Sequence, residues 1–116
     1  PYIQYSHARL SSILAKAAGE TVSVCKASDD AKEYDFLRLI ADLPQIIVTA
    51  AESRKPSLLA QYLFDLAQAA NDFYRDVPVL SVEGAERCRR LAIVKAGQTA
   101  LAAGLDLLGI TAPEEM

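Results

Sequence analysis

Histidine occurs once, methionine once and tryptophan not at all in these 116 residues. One imidazole cannot form a His-based metal site or a His-led relay without partners, and none stands at ligand spacing. The two cysteines, Cys25 and Cys88, match neither a zinc nor a redox motif, which predicts small, reduced, partly buried residues of an intracellular protein. No glycine-rich phosphate loop and no nucleophile motif occurs. No apolar run free of charge is long enough to span a bilayer, and no signal-peptide pattern opens the chain, so a cytoplasmic location is expected. An excess of positive charge is missing too: 12 lysines and arginines face 15 aspartates and glutamates, a formal net charge of −3. That balance excludes a protein that coats nucleic acid non-specifically, a mode built on many phosphate contacts. Any nucleic-acid site must be local.

What the chain has in abundance is apolar residues, 52% of the total, enough for one domain with a substantial core. Alanine and leucine dominate and lose little on entering a helix, while glycine and proline gather between apolar runs. An all-α helical bundle follows. The first helix is expected from Tyr2 to about Ala18, ended by Gly19, with a connection from Gly19 to Asp30. Asp29 or Asp30 can cap a second helix running through Leu43. Pro44 predicts a break before a short helix over Gln45 to Ser53. Pro56 opens a long helix to about Arg75, with Leu59, Tyr62, Leu63, Leu66, Ala70 and Phe73 inward. A connection from Val77 to Val82 leads to the last helix, about Glu83 to Leu108, stopped by Gly109. That helix carries apolar residues on both sides: Leu91, Val94, Leu101, Leu105 and Leu108 on one, and Ala92, Ile93, Ala96, Ala100, Ala103 and Leu107 on the other. Such a helix is expected at the centre of the bundle, its alanines admitting a close neighbour.

Few residues could carry chemistry. His7 falls near the apolar side of its helix and is expected to be packed and hydrogen-bonded; the alternative, a phosphotransfer histidine, requires an exposed ring. The acidic pairs Asp29–Asp30 and Glu114–Glu115 fit capping or solvation better than acid/base work. Basic clusters at Arg54–Lys55 and at Arg87, Arg89 and Arg90 read as solvated helix ends or faces. Tyr62 reads as core with its hydroxyl at the rim, Tyr34 as a staple onto its helix, and Tyr74 as reaching outward beside buried Phe73.

The opening run PYIQYSHARLSSIL is different. At about 100° per residue, Tyr2, Tyr5 and Arg9 project along one stripe that Lys16 continues, a quarter turn or more from the side marked by Ile3, Leu10, Leu14 and Ala17. Rings beside cations suit unstacked bases joined by phosphates. Packing against a further domain is the other reading of Tyr2 and Tyr5.

Several ordered segments together resemble one family. YIQYSHARLSSIL, LLAQYLFDLAQAANDFYRDVPVL, RLAIVKAGQTALAAGLDLLGI and LGITAPEEM are similar to the helices and terminal signature of the C-terminal anticodon-binding domain of arginyl-tRNA synthetase, the DALR-type helical domain shared with other class I aminoacyl-tRNA synthetases. The resemblance runs from Tyr2 to Met116. It implies that Tyr2, Tyr5, Arg9, Tyr74 and Met116 gather around an anticodon loop, with rings and thioether supporting splayed bases and Arg9 on phosphate or a base edge. It further implies a single domain over residues 1–116, the C-terminal part of a longer ATP-dependent arginine–tRNA ligase, in keeping with a chain that begins at Pro1 against a helical pattern. The expected partners are the anticodon stem-loop of arginine tRNA and the ligase's own catalytic domain, without DNA or membrane. This domain would need no cofactor, ATP and Mg serving the parent enzyme, and would catalyse nothing alone. Two positions depart from the family pattern: Ser57 where a histidine often follows the helix-opening proline, and Glu115 where an arginine commonly precedes the final methionine. A reading of another class is a standalone helical module that binds protein through the tyrosine edge and no tRNA.

Overall fold

The computed structural model describes residues 1–17 and 31–114. Among them are five α-helices and no strand: α1 (Tyr2–Lys16), α2 (Ala31–Ala41), α3 (Leu43–Ser53), α4 (Pro56–Asp76) and α5 (Gly84–Leu107). The all-α bundle expected from composition is the fold observed. Gly19, the connection that follows it, Cys25, the Asp29–Asp30 cap, Glu115 and Met116 lie outside the described residues. Within that range no helix is long and apolar enough to cross a membrane.

Helix boundaries follow local chemistry. Pro56 occupies the first turn of α4, where its missing amide costs nothing. At the end of α5, Gly109 adopts φ +74°; its amide donates to Asp106 O and that of Ile110 to Leu105 O, closing the helix as a Schellman motif. The break between α2 and α3 falls at Asp42 rather than at Pro44, which sits inside the first turn of α3. A proline is best accommodated there, so the chain turns two residues earlier than the proline itself suggests. Arg54 caps α3 in the left-handed conformation at φ 55°, and both it and Lys55 are exposed, as expected of a helix end.

The inward stripe of α4 is as expected: Leu59, Tyr62, Leu63, Leu66, Ala70 and Phe73 are all buried. Its partners are α1, α2, α3 and α5. On α5 the expectation needs two corrections. Leu91, Ile93, Val94, Ala100, Leu101 and Leu105 are buried, but Ala103 and Leu107 are exposed, because α3 packs mainly on α4 and leaves the end of α5 uncovered. Close approach depends on glycines rather than alanines. A Cβ on Gly97 would lie 2.6 Å from the Phe36 ring, and one on Gly104 would lie 2.3 Å from Leu63 Cδ2. The hydrogen side chain lets α2 and α4 come within a distance that alanine forbids.

α1 turns a broader face inward than its apolar residues suggest. Ser6, His7 and Ser11 are buried with Leu10 and Ile13, while Ile3 and Leu14 are only half-buried. The buried Ser6, His7 and Ser11 side chains of α1 each find a partner. Ser6 Oγ donates to Tyr2 O at 3.0 Å and accepts from Asn71 Nδ2 at 2.9 Å, and Ser11 Oγ accepts from Gln98 Nε2 at 2.9 Å. His7 is 4% exposed with Nδ1 2.7 Å from Pro113 O, so the ring is the packed, hydrogen-bonded histidine expected and lacks the exposure that phosphotransfer requires. Gln4 Nε2 donates to Thr111 O at 2.8 Å, and the two contacts lay the tail along α1.

Candidate nucleic-acid interface

α1 and α4 run in the same direction, as the pairings Tyr2–Phe64, Ser6–Asn71 and Arg9–Tyr74 show. The hydrogen bond from Asn71 to Ser6 ties the helices between the Tyr2–Phe64 and Arg9–Tyr74 contacts, so aromatic residues on their outer edges share one ledge. On it the Arg9 guanidinium lies over two rings, with its central carbon 4.5 Å from the Tyr5 centroid and 5.0 Å from that of Tyr74. Nη2 of Arg9 also donates to the Tyr5 hydroxyl at 3.0 Å. A planar cation between two rings fixes both at the cost of one side chain's rotamer freedom.

Both rings keep surface for a ligand: Tyr5 is 43% exposed and Tyr74 40%. Tyr2, 42% exposed, packs against Phe64 with centroids 5.3 Å apart and planes tilted by 38°. Of the sequence-predicted site residues, Tyr5, Arg9 and Tyr74 meet directly, and Tyr2 lies on the same edge of α1. Met116 lies outside the described residues. Phe64, 45% exposed, extends the ledge and was missed by sequence reasoning. The available signal was its position off the inward stripe of α4, an aromatic ring with no core neighbour to justify it.

Beside the ledge, an open groove is lined by Ser12, Lys16, Tyr74, Pro78, Leu80 and Ser81 among others. Lys16 is exposed and brings a cation to the rim. Arg75, next to Tyr74, is not available in the same way. Nε and Nη2 donate to the two carboxylate oxygens of Asp76 at 2.9 Å each, and Asp72 lies 3.3 Å away. Hydrogen bonding from Arg75 holds the Asp76 carboxyl below its ordinary range. The local cations on offer are therefore few, as the acidic net charge requires.

Two other readings change. Tyr34 is 59% exposed within α2 and staples nothing, because the buried stripe of that helix is Glu33 and Phe36. The cluster Arg87, Arg89 and Arg90 is not a solvated face. Arg90 is 6% exposed and donates from Nε to Glu33 Oε1 at 3.0 Å, and Arg89 Nη2 reaches Glu33 Oε2 at 3.2 Å. Glu33 itself has no exposed surface. Its charge is compensated from two sides, which is the condition for burying it.

Tyr62 behaves as expected. It is buried, its hydroxyl donates to Leu39 O at 2.5 Å, and burial, with a smaller effect of the Asp42 charge, pushes its pKa up to about 12.

A sequence model of the DALR anticodon binding domain matches residues 3–116. The chain is 45% identical to the arginine–tRNA ligase of Methanosarcina barkeri and 39% identical to that of Alkaliphilus metalliredigens; in both cases the match takes in the whole chain, and 22% and 21% of the relative. The solved structure of Thermus thermophilus arginyl-tRNA synthetase superposes with a TM-score of 0.94 at 42% identity, over all of this chain and 21% of that one. The chain thus spans about a fifth of the length of these relatives. An all-helical bundle, a ring-and-cation ledge shared by α1 and α4, and a match over nearly every residue lead to one assignment: the chain belongs to the DALR anticodon-binding domain family.

Proposed function

We propose that this domain reads the anticodon loop of arginine tRNA on behalf of an arginine–tRNA ligase of which it is the C-terminal module. The observation that carries the reading is the Arg9 guanidinium held between Tyr5 and Tyr74, which stiffens two rings while leaving each about two-fifths exposed. Splayed bases stack on such rings, each worth about 1–3 kcal/mol. Arg9, already planar and oriented, can exchange its bond to the Tyr5 hydroxyl for a phosphate oxygen or a base edge. Tyr2 widens the platform, and the family resemblance adds the Met116 thioether.

No residue of this domain has a chemical part in charging. ATP and Mg act in the catalytic domain of the parent ligase, which belongs in the cytoplasm with its tRNA. The domain contributes selectivity by letting only a matching anticodon engage.

Titration of the chain with an arginine-tRNA anticodon stem-loop at low salt tests the reading. Amide signals of Tyr5, Arg9 and Tyr74 should shift, the affinity should exceed that for a stem-loop of unrelated sequence, and binding should weaken as salt rises. Equal affinity for both RNAs would refute anticodon reading. Shifts only with a protein ligand would identify the ledge as a protein-docking surface.

A further inference from the structure

Residues 77–82 connect α4 to α5 and form one wall of the groove beside Tyr74. Their side chains alternate: Val77 and Val79 are 3% and 5% exposed, whereas Pro78 and Ser81 are exposed and Leu80 is half-buried. Two apolar anchors alone would leave the intervening backbone free to pivot. The carbonyls are held instead by the first turns of α5: Arg90 Nη1 donates to Pro78 O at 2.7 Å and Arg87 Nη1 to Leu80 O at 2.5 Å. Arg90 cannot shift to release its carbonyl. Nε is bound to the fully buried Glu33 of α2 and Nη2 lies 2.7 Å from Glu86 Oε1, so three edges of one rigid guanidinium are fixed.

We propose that Arg87 and Arg90 are positioning residues for RNA recognition, fixing the connection of residues 77–82 as the groove wall beside Tyr74 without touching the ligand themselves. The inference rests on the anticodon-reading role given above. Its physical basis is that a stacked base needs its ring platform and the adjoining wall in fixed relation, and a shift of the supporting backbone costs affinity even when every contacting side chain is intact. Glu33 is the third member. It orients Arg90 from α2, so the wall is braced by two helices.

The test compares Arg90→Lys and Arg87→Gln with the parent chain and with Leu105→Ala, a core variant at the far end of α5 from the 77–82 connection that controls for lost stability. Arg90→Lys keeps the charge and loses the fork, while Arg87→Gln acts at a half-buried position and leaves Glu33 paired. The probe is the arginine-tRNA anticodon stem-loop, titrated at several salt concentrations. Each arginine variant is expected to bind about tenfold more weakly, the scale of losing one stacked base. The slope of log affinity against log salt should stay that of the parent, because no phosphate contact is removed. In the free protein, amide signals of Val79, Leu80 and Ser81 should move in the arginine variants and not in Leu105→Ala. Three results would overturn the proposal: unchanged affinity despite moved loop signals, an affinity loss matched by Leu105→Ala, or a slope shallower by about one phosphate contact, which would make the arginines direct ligands. If the parent failed to prefer the stem-loop, the anticodon-reading role and this proposal would fall together. Failure of the proposal alone would instead show as a parent that discriminates and variants that bind equally well.

Discussion

Arg9 on α1 lies against two exposed tyrosine rings at the molecular surface, whereas Arg90 on α5 is 6% exposed and held by two carboxylates and a backbone carbonyl. The guanidinium is the same in both places; its surroundings decide what it can do. At the ledge the cation is stabilised by ring faces that water and ligand can also reach, so its partners are exchangeable at little cost. In the interior, removing any one partner strands a charge in a low-dielectric region, so the arrangement holds the bundle in one geometry. An exchangeable surface contact and a fixed internal brace thus draw on one residue type, separated by burial.

Breaking the buried arrangement should have the largest effect. Arg90→Ala leaves Glu33 with its charge half-compensated and is expected to destabilise the domain by about 3–5 kcal/mol, read from the midpoint of chemical denaturation. An unchanged midpoint would mean that Glu33 is solvated in solution and the contrast with Arg9 is false. Leu105→Ala, in the fully buried part of α5, should lose about 2–5 kcal/mol through the cavity it leaves, and equal thermal stability of variant and parent would refute the burial of that side chain. Arg9→Ala sharpens the comparison from the other side. It should cost about 1 kcal/mol of stability or less, since exposed cation–π contacts are weak, yet lower stem-loop affinity by tenfold or more. Loss of fold in that variant would show the ledge to be structural.

The smallest effect is a dependence on pH. The Tyr62 hydroxyl is pushed from its ordinary 10 to about 12, chiefly by burial. Below pH 10 both folded and unfolded chains keep this proton. Between the two values the unfolded chain ionises first, so stability falls as pH rises through that window. Denaturation of the parent and of Tyr62→Phe at pH 8 and pH 11 separates this group from other titrations: the parent should lose its advantage over the variant at the higher pH. A constant difference would show that the hydroxyl ionises as readily when folded.

How far the sequence could be read differs between helices for a physical reason. The stripe of α4 was legible because Leu59, Tyr62, Leu63, Leu66, Ala70 and Phe73 repeat with the helical period and all face the bundle. Polar residues break that logic. Ser6 and Ser11 are buried on α1 because Asn71 and Gln98, 65 and 87 residues away, supply their hydrogen bonds. Nothing in the neighbouring sequence signals such a partner. The run Arg87, Arg89 and Arg90 reads as a solvated face for the same reason, since the compensating Glu33 is 57 residues from Arg90.

Composition and periodicity determined on their own that this protein is an all-helical bundle and that Tyr2, Tyr5 and Arg9 share a stripe beside the core, because helix formation and side-chain direction are local properties of the chain. Tertiary structure alone decided that Tyr74 closes over Arg9, that Phe64 joins the ledge and that Gly97 and Gly104 admit their neighbours. It also decided which arginines are buried. Those outcomes depend on the packing of helices distant in sequence, where fit and desolvation set the energy rather than the residue's own preference.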